Sequence, residues 1–257
     1  MAASHFYEII GLDSKLKALS RKLDKKMFYD YADLKKKEKD VIAKHIERIE
    51  LTYLLTPSTI NIQPHINEEV HYEGVMFITV RLREGAAEKH IGIIEEIIHG
   101  ALPNPVIVVF TLQDNILVSS CMKRINKVDK NSSVLIEIHQ TRWINLDQIT
   151  DTQNRFIESI YITNLSFNNF FEFYKGVDLA VEALQNAETT GRYHVEKNQE
   201  KHDEQQKAIQ RIQTLEEEIK KLKTDIKKES QFNKKVELNM KFQQITKQVA
   251  ELKNRLI

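Results

Sequence analysis

Cysteine is almost absent from this 257-residue chain. Cys121 stands alone, so no intramolecular disulfide and no cysteine-built zinc site can form. Glycine and proline are scarce, at seven and four residues, which argues against long flexible linkers. No apolar run approaches the ~20 residues that span a bilayer. The longest, VIVVFTL at 106–112, is the size of a strand. The opening MAASHFYEIIGL lacks the basic start and the roughly 7–15-residue apolar stretch of a signal peptide. A cytoplasmic protein without a membrane partner is therefore expected.

The common signatures of chemistry are missing too. Neither G-x-G-x-x-G, G-x-x-x-x-G-K-[ST] nor G-x-S-x-G occurs, which removes the usual phosphate cradles and the nucleophile elbow. H-E-x-x-H is also absent, and the nine histidines are scattered. His90 and His99, about two and a half helical turns apart, cannot chelate one ion. The histidines read as surface imidazoles, and no cofactor or metal is expected.

What is present is charge, unevenly placed. Residues 15–48 hold twelve Lys/Arg against six Asp/Glu, residues 49–191 ten against eighteen, and residues 192–257 sixteen against eleven. A near-neutral total thus conceals basic ends around an acidic middle, an arrangement that can orient polyanions or partner proteins. The candidate contact residues for nucleic acid or a partner are Lys15, Lys17, Arg21, Lys22, Lys25, Lys26, Lys35, Lys36, Lys37 and Lys39.

Periodicity divides the chain into four parts. Helical spacing of Leu12, Leu16, Leu19 and Leu23, then of Val41, Ile42, Ile46 and Ile49, predicts a basic helical segment over 1–48. Alternation in 48–55 and 132–141, β-branched and aromatic residues in 70–82, the apolar run 106–112 and its hairpin partner 116–120 predict strands of an α+β core over 49–150. A helix over 86–100, ended by Gly100, makes a crossover within it, and 113–115 is a turn. Residues 151–191 turn helical, with Phe167, Phe170, Phe171 and Tyr174 on one face, and Trp143 closes a core edge. Residues 192–257 form a coiled-coil tail. The fold class is α+β: a small mixed sheet with packed helices, followed by a long C-terminal coiled coil or helical hairpin.

The tail changes phase. Ile212, Leu215, Ile219, Leu222 and Ile226 keep the three-four spacing of a coiled-coil seam, as do Leu238, Phe242, Ile245, Val249, Leu252 and Leu256, but the second set starts two residues late. On one continuous helix this shift would carry the seam about 200° round, and the helix would be about 88 Å long with apolar stripes on two sides. A hairpin bent near 229–235, with Asn233 capping its second helix, resolves both problems. A bent helix pairing with other chains is the alternative, since Val236 and Met240 also fit the first phase. The tip residues Gln231, Phe232 and Asn233 are candidates for contact with a partner.

One catalytic arrangement remains. Asp114, after an apolar strand, and Glu137, in Glu-Ile-His on a later strand, are the two carboxylates that a divergent metal-dependent nuclease would use. His139 stands where such a site wants Lys.

Over its full length the sequence resembles the bacterial family known as domain of unknown function 4391. The resemblance is carried by KKMFYDYADL (25–34), IELTYLLTPSTINI (49–62), IIEEIIHGALPNPVIVVF (93–110), the Arg142-Trp143 pair and KESQFNKKVELNMKF (228–242). It implies a bacterial protein encoded beside helicases and DNA methyltransferases in restriction-modification-like or phage-defence clusters. It implies no established activity and no catalytic residues. The resulting expectation is a non-catalytic accessory subunit of a DNA-directed defence assembly, with a helicase or methyltransferase as protein partner and nucleic acid reached through the basic helices. The nuclease, and a stand-alone nucleic-acid-binding regulator, are the other readings.

Overall fold

The computed structural model describes residues 2–31, 34–86, 88–127 and 133–256. Ala32, Asp33, Ala87 and Ser132, which fall in segments discussed above, lie outside them. The chain divides into two compact units, residues 1–185 and 186–257; the basic start, the sheet and the helical segment up to residue 185 lie in the first.

The first unit is an α+β domain around one mixed sheet. Its strands are β1 (Arg21–Leu23), β2 (Ile46–Leu55), β5 (Val75–Leu82), β6 (Val106–Leu112), β7 (Asn115–Ile125) and β8 (Ser133–Gln140), adjacent in that order, with β9 (Ile144–Asn145) pairing β7. The short strands β3 (His65–Ile66) and β4 (His71–Tyr72) make a separate ribbon. Among the described strands of this sheet only β5 and β6 run parallel. A parallel pair needs a crossover, and α5 (Ile91–Ala101) supplies it.

Alternation along the strands explains the two apolar layers. Ile78 and Val80 of β5, with Val108 and Phe110 of β6, pack against α5, α2 (Lys25–Tyr31) and α3 (Lys36–His45). Phe77 and Ile107 point the other way, toward Phe6 and Ile10 from α1 (Ala2–Ile9) and its end and Phe173 and Val177 of α7 (Phe170–Thr190). The remaining helices are α4 (Pro57–Ile60) and α6 (Asp151–Ser159). Gly74 is where β5 enters against the end of β2: a Cβ there would sit 2.4 Å from the Leu55 carbonyl oxygen, so no other residue fits.

Three local predictions need correction. The leucine spacing over 12–23 is not realised as a helix. Leu12 is buried and Leu19 exposed, the Leu19 N–H donates to the Thr52 carbonyl at 2.9 Å, and residues 21–23 pair with β2 as its edge strand. The unmet backbone groups of β2 outcompete a local helical preference, and a three-residue charged strand is a safe edge. Ile46 and Ile49, read as helical, begin β2 directly after α3. In the first two turns of α7 the buried side chains are Phe170, Phe173, Tyr174 and Val177, whereas Phe171 is only half-buried and Phe167 precedes the helix and is 40% exposed. Trp143 packs half-buried against the main core, as its apolar area favours.

The second unit is a helical hairpin of α8 (Gln199–Lys228) and α9 (Phe232–Arg255). Ile212, Leu215, Leu222, Ile245 and Val249 form its core, with Ile219, Leu238, Phe242, Leu252 and Leu256 packed around it. The two seams, out of phase along the chain, therefore face each other. Lys241–Glu218 at 2.7 Å and Lys253–Glu216 at 2.8 Å tie the helices together, and the Lys223 ammonium lies 5.7 Å from the Phe242 ring centre. Asn233 does not cap α9. Gln231 is the N-cap residue, and its N–H donates to the Glu229 carboxylate at 2.8 Å.

Candidate functional site

β7 carries the polar sequence Ser119-Ser120-Cys121-Met122-Lys123 through the middle of the first unit. Successive side chains on a strand point to opposite faces, so Ser119 turns toward α5 and Ser120 toward α7. Each meets partners from a distant part of the chain.

On the α5 side, Ser119 Oγ lies 3.1 Å from His99 Nε2, and the hydroxyl also bonds the Glu95 carboxyl. Gln140, opposite Ser119 across the β7–β8 ladder, donates to Glu95 at 3.0 and 3.2 Å when its amide nitrogen faces the carboxyl. Burial raises the Glu95 pKa to about 7 against the pull of the Ser119 bond. Burial, helped by the nearby Lys123 charge, holds His99 well below the ordinary histidine range, so its ring is neutral. Lys123 reaches the end of α5, where its Nζ donates to the carbonyls of His99, Leu102 and Asn104 at 2.7, 2.6 and 3.0 Å. These are C-terminal acceptors that the helix and the loop after it leave open.

On the α7 side, Ser120 Oγ donates to Asp178 Oδ1 at 2.7 Å, and His139 Nδ1 sits 3.3 Å from Asp178 Oδ2. Glu182 and Glu137 each approach His139 Nε2 at 3.9 Å. Burial alone would lower the His139 pKa, but the Asp178 hydrogen bond and the three carboxylates outweigh it and raise it. Between the two clusters the β7–β8 register slips after Cys121. Two buried tyrosines repair the slip: Tyr174 Oη accepts the Cys121 N–H at 2.9 Å, and Tyr72 Oη accepts the Lys123 N–H at 3.0 Å.

This set contains the residue types of a hydrolase without its access. Ser119 and His99 are in nucleophile–base contact, yet both are 0% exposed. In the second set the serine bonds the aspartate instead of the histidine, which is not the order that activates a hydroxyl. Burial lifts the Cys121 thiol to about 11 and keeps it protonated. What these groups do is join α5 and α7 to the two faces of one strand.

The nuclease pair is not assembled. Asp114 lies in the β6–β7 turn, beside Gln113 with φ of 55°. Glu137 lies on β8, next to Ile138, which pairs with Cys121. About seven strand residues, or roughly 23 Å, separate the two. No group of three or more metal-ligating side chains occurs among the described residues. The histidines also depart from the expected surface pattern: His99 and His139 are buried, and the rings of His45 and His90 stack at 4.2 Å. No periodicity flags them, because their partners lie on other elements.

The basic residues occupy three places in the first unit. Lys15 and Lys17 precede β1, Arg21 and Lys22 lie on it, and Lys26 starts α2, all exposed. Lys35, Lys36, Lys37 and Lys39 crowd exposed around the start of α3. Lys25 leaves the candidate set, since its half-buried Nζ donates to the Ile46 carbonyl at 2.5 Å. If the α3 lysines meet phosphates, the K35E/K36E/K37E protein binds duplex DNA more weakly whatever its sequence, and its log K against log [salt] slope is flatter by up to about three. An unchanged slope in filter binding would make them a solvated face.

The tip residues Gln231, Phe232 and Asn233 are all exposed. Phe232 is 77%, Val236 41% and Met240 67% exposed. At spacings of four they share one face of α9, about 150° round from the seam that packs on α8. No helix among the described residues is long and apolar enough to cross a membrane.

A family model, described as a domain of unknown function (DUF4391), matches residues 17–249. The chain belongs to that family. The match runs from before β1 into α9, so sheet and hairpin are both parts of the DUF4391 domain. No curated protein and no solved structure matches the chain.

Proposed function

We propose that this DUF4391 chain is a non-catalytic interaction subunit that engages a larger protein through its C-terminal hairpin. The exposed Phe232–Val236–Met240 stripe carries the reading. The hairpin already buries its own seam, so this second apolar face is not needed for folding. Exposed contiguous apolar side chains on an otherwise charged element mark an interaction surface. The sealed state of Ser119, His99 and Ser120 supports a structural role for the polar core. The setting we propose, a bacterial DNA-directed defence assembly with a helicase or DNA methyltransferase as partner, rests on the family resemblance. The exposed lysines of the first unit are the surface through which such a subunit would also meet nucleic acid.

The test is copurification of the tagged chain expressed with its neighbouring genes. Removal of residues 195–257 should leave the first unit folded, because its core lies within 1–185. It should also remove the partner from the eluate. Retention of the partner by the truncated chain would refute the reading.

A further inference from the structure

The start of β2 meets the end of β1 and the first residue of α2 around an open groove of about 410 Å³, whose charged walls are Lys22, Asp24, Lys25, Glu47 and Arg48. Adjacent residues of a strand normally point to opposite faces, yet Glu47 and Arg48 both line the groove. A register shift between Ile46 and Arg48 allows this. The charges here are paired in two different ways. Lys22 stands opposite Glu50 across the β1–β2 ladder, a favourable pairing of opposite signs. Arg48 stands directly opposite Arg81 across the β2–β5 ladder, and like charges so placed destabilise a sheet. Each arginine also meets a glutamate, Arg48–Glu50 at 2.6 Å and Arg81–Glu47 at 3.7 Å, and both remain part-exposed. Beside them, the charges of Arg83 and Lys22 add to burial in lowering the Lys25 pKa. The groove and the groups facing its walls thus bring together Lys22, Lys25, Arg48, Arg81 and Arg83 against Asp24, Glu47 and Glu50. Arg81 and Arg83 fall in the acidic middle of the sequence, where charge counted along the chain passes over them.

We propose that this groove binds a phosphate group, with Arg48 and Arg81 as its forked donors and Lys22 and Lys25 as the point charges beside them. A guanidinium matches phosphate oxygens with two parallel N–H bonds. Two of them on directly opposed strand residues, with Cβ atoms about 5 Å apart, can grip one tetrahedral anion from both sides. An anion held there turns the mutual repulsion of the arginines into a shared attraction. Lys25 gives one N–H to the Ile46 carbonyl, and an ammonium has three. A carboxylate from a partner protein fits less well, because Glu47 and Glu50 already meet the arginines in that way. The site is independent of the hairpin reading, since every residue in it lies in the first unit. The phosphate can belong to a nucleic-acid backbone or to a small phosphorylated molecule.

The experiment melts the full chain in about 20 mM inorganic phosphate and in sodium chloride of equal ionic strength. Phosphate stabilises proteins in general by exclusion from their surface, so the reading is the extra gain of the wild type over variants. The wild-type Tm should gain at least about 2 °C more from phosphate than that of R81T or K22E, as a filled site gives in a domain of this size. R81T removes the like-charge pair and installs a good strand former, so its Tm in chloride should hold or rise. K22E alters an exposed residue of the edge strand and carries the test if R81T does not fold. A phosphate gain equal in wild type and K22E, or equal in wild type and folded R81T, would overturn the proposal. A labelled oligothymidylate then separates the two sources of phosphate. If the groove takes a nucleic-acid backbone, anisotropy should show binding at least about fivefold weaker in R81T, with a salt slope flatter by about one. If it takes a small phosphorylated molecule, the oligonucleotide binds both proteins alike or not at all, while the extra Tm gain of the wild type persists.

Discussion

Replacing Lys123 with Met should destabilise the first unit at high pH, by an amount that shrinks to nothing as pH falls. The methionine keeps most of the stem volume but leaves the carbonyls of His99, Leu102 and Asn104 without their buried donor. A neutral amine has two N–H groups and so serves two of these three carbonyls at once; unsatisfied buried acceptors cost about 1–3 kcal/mol each at worst, and carbonyls with a second lone pair cost less, so about 2–4 kcal/mol is expected where the amine is neutral. The pH dependence follows from linkage. Burial lowers the Lys123 pKa from 10.5 to about 7, whereas the unfolded chain titrates near the ordinary value. Between these values the unfolded chain binds a proton that the folded chain does not, so stability rises with pH through that window and is lowest below it. The wild type gains on the order of 3–5 kcal/mol from this one group across the window, and K123M loses that gain. Denaturant melts of both proteins at pH 6, 8 and 10 should show the gap widening with pH. A constant gap would mean that Lys123 is not held by this buried cap.

Asp178→Asn should be the most damaging single change on the α7 side. Asp178 is the shared partner of Ser120 and His139, and its own side chain is buried. Taking the charge from one half of a buried pair leaves the other half uncompensated, which typically costs about 3–5 kcal/mol. His139 then keeps only the longer contacts to Glu182 and Glu137 against burial, and its pKa should drop. The sign in the wild type is the reverse of the lysine case. A histidine whose folded pKa is raised contributes stability that is complete below its unfolded pKa and disappears as pH rises through the folded value. Wild-type stability should therefore fall with pH just above the ordinary histidine range, and D178N should lack that fall. The His139 ring proton shift, followed by NMR in both proteins, reports the same change directly. An unmoved His139 titration in D178N would show that Asp178 is not its governing partner.

Local repetition was enough for much of the architecture. Alternation marked β2 and β8, where every second position is apolar, and runs of apolar, β-branched and aromatic residues marked β5 and β6, which are buried on both faces. The apolar run at 106–112 and the helix before it predicted the crossover that makes β5 and β6 parallel, although that helix runs through Gly100, read as its stop, to Ala101 with Leu102 as its cap. The two-residue phase slip near 230 was legible for the same reason: a seam is a property of consecutive residues, and only a fold-back lets both halves bury theirs. Tertiary structure decided what periodicity could not. Leu12, Leu16, Leu19 and Leu23 fit a helix as well as they fit anything, until β2 presents open backbone groups that residues 21–23 can pair. The polar core was invisible because its members come from α5, β7, β8 and α7. Ser120 and Asp178 are 58 residues apart, and no local pattern records that a buried serine has its acceptor there. Asp114 and Glu137, closer in sequence, were set apart by strand geometry. Side-chain period is set by the local backbone, whereas the partner of a buried charge is chosen by which elements pack together, and that choice exists only once the sheet has formed.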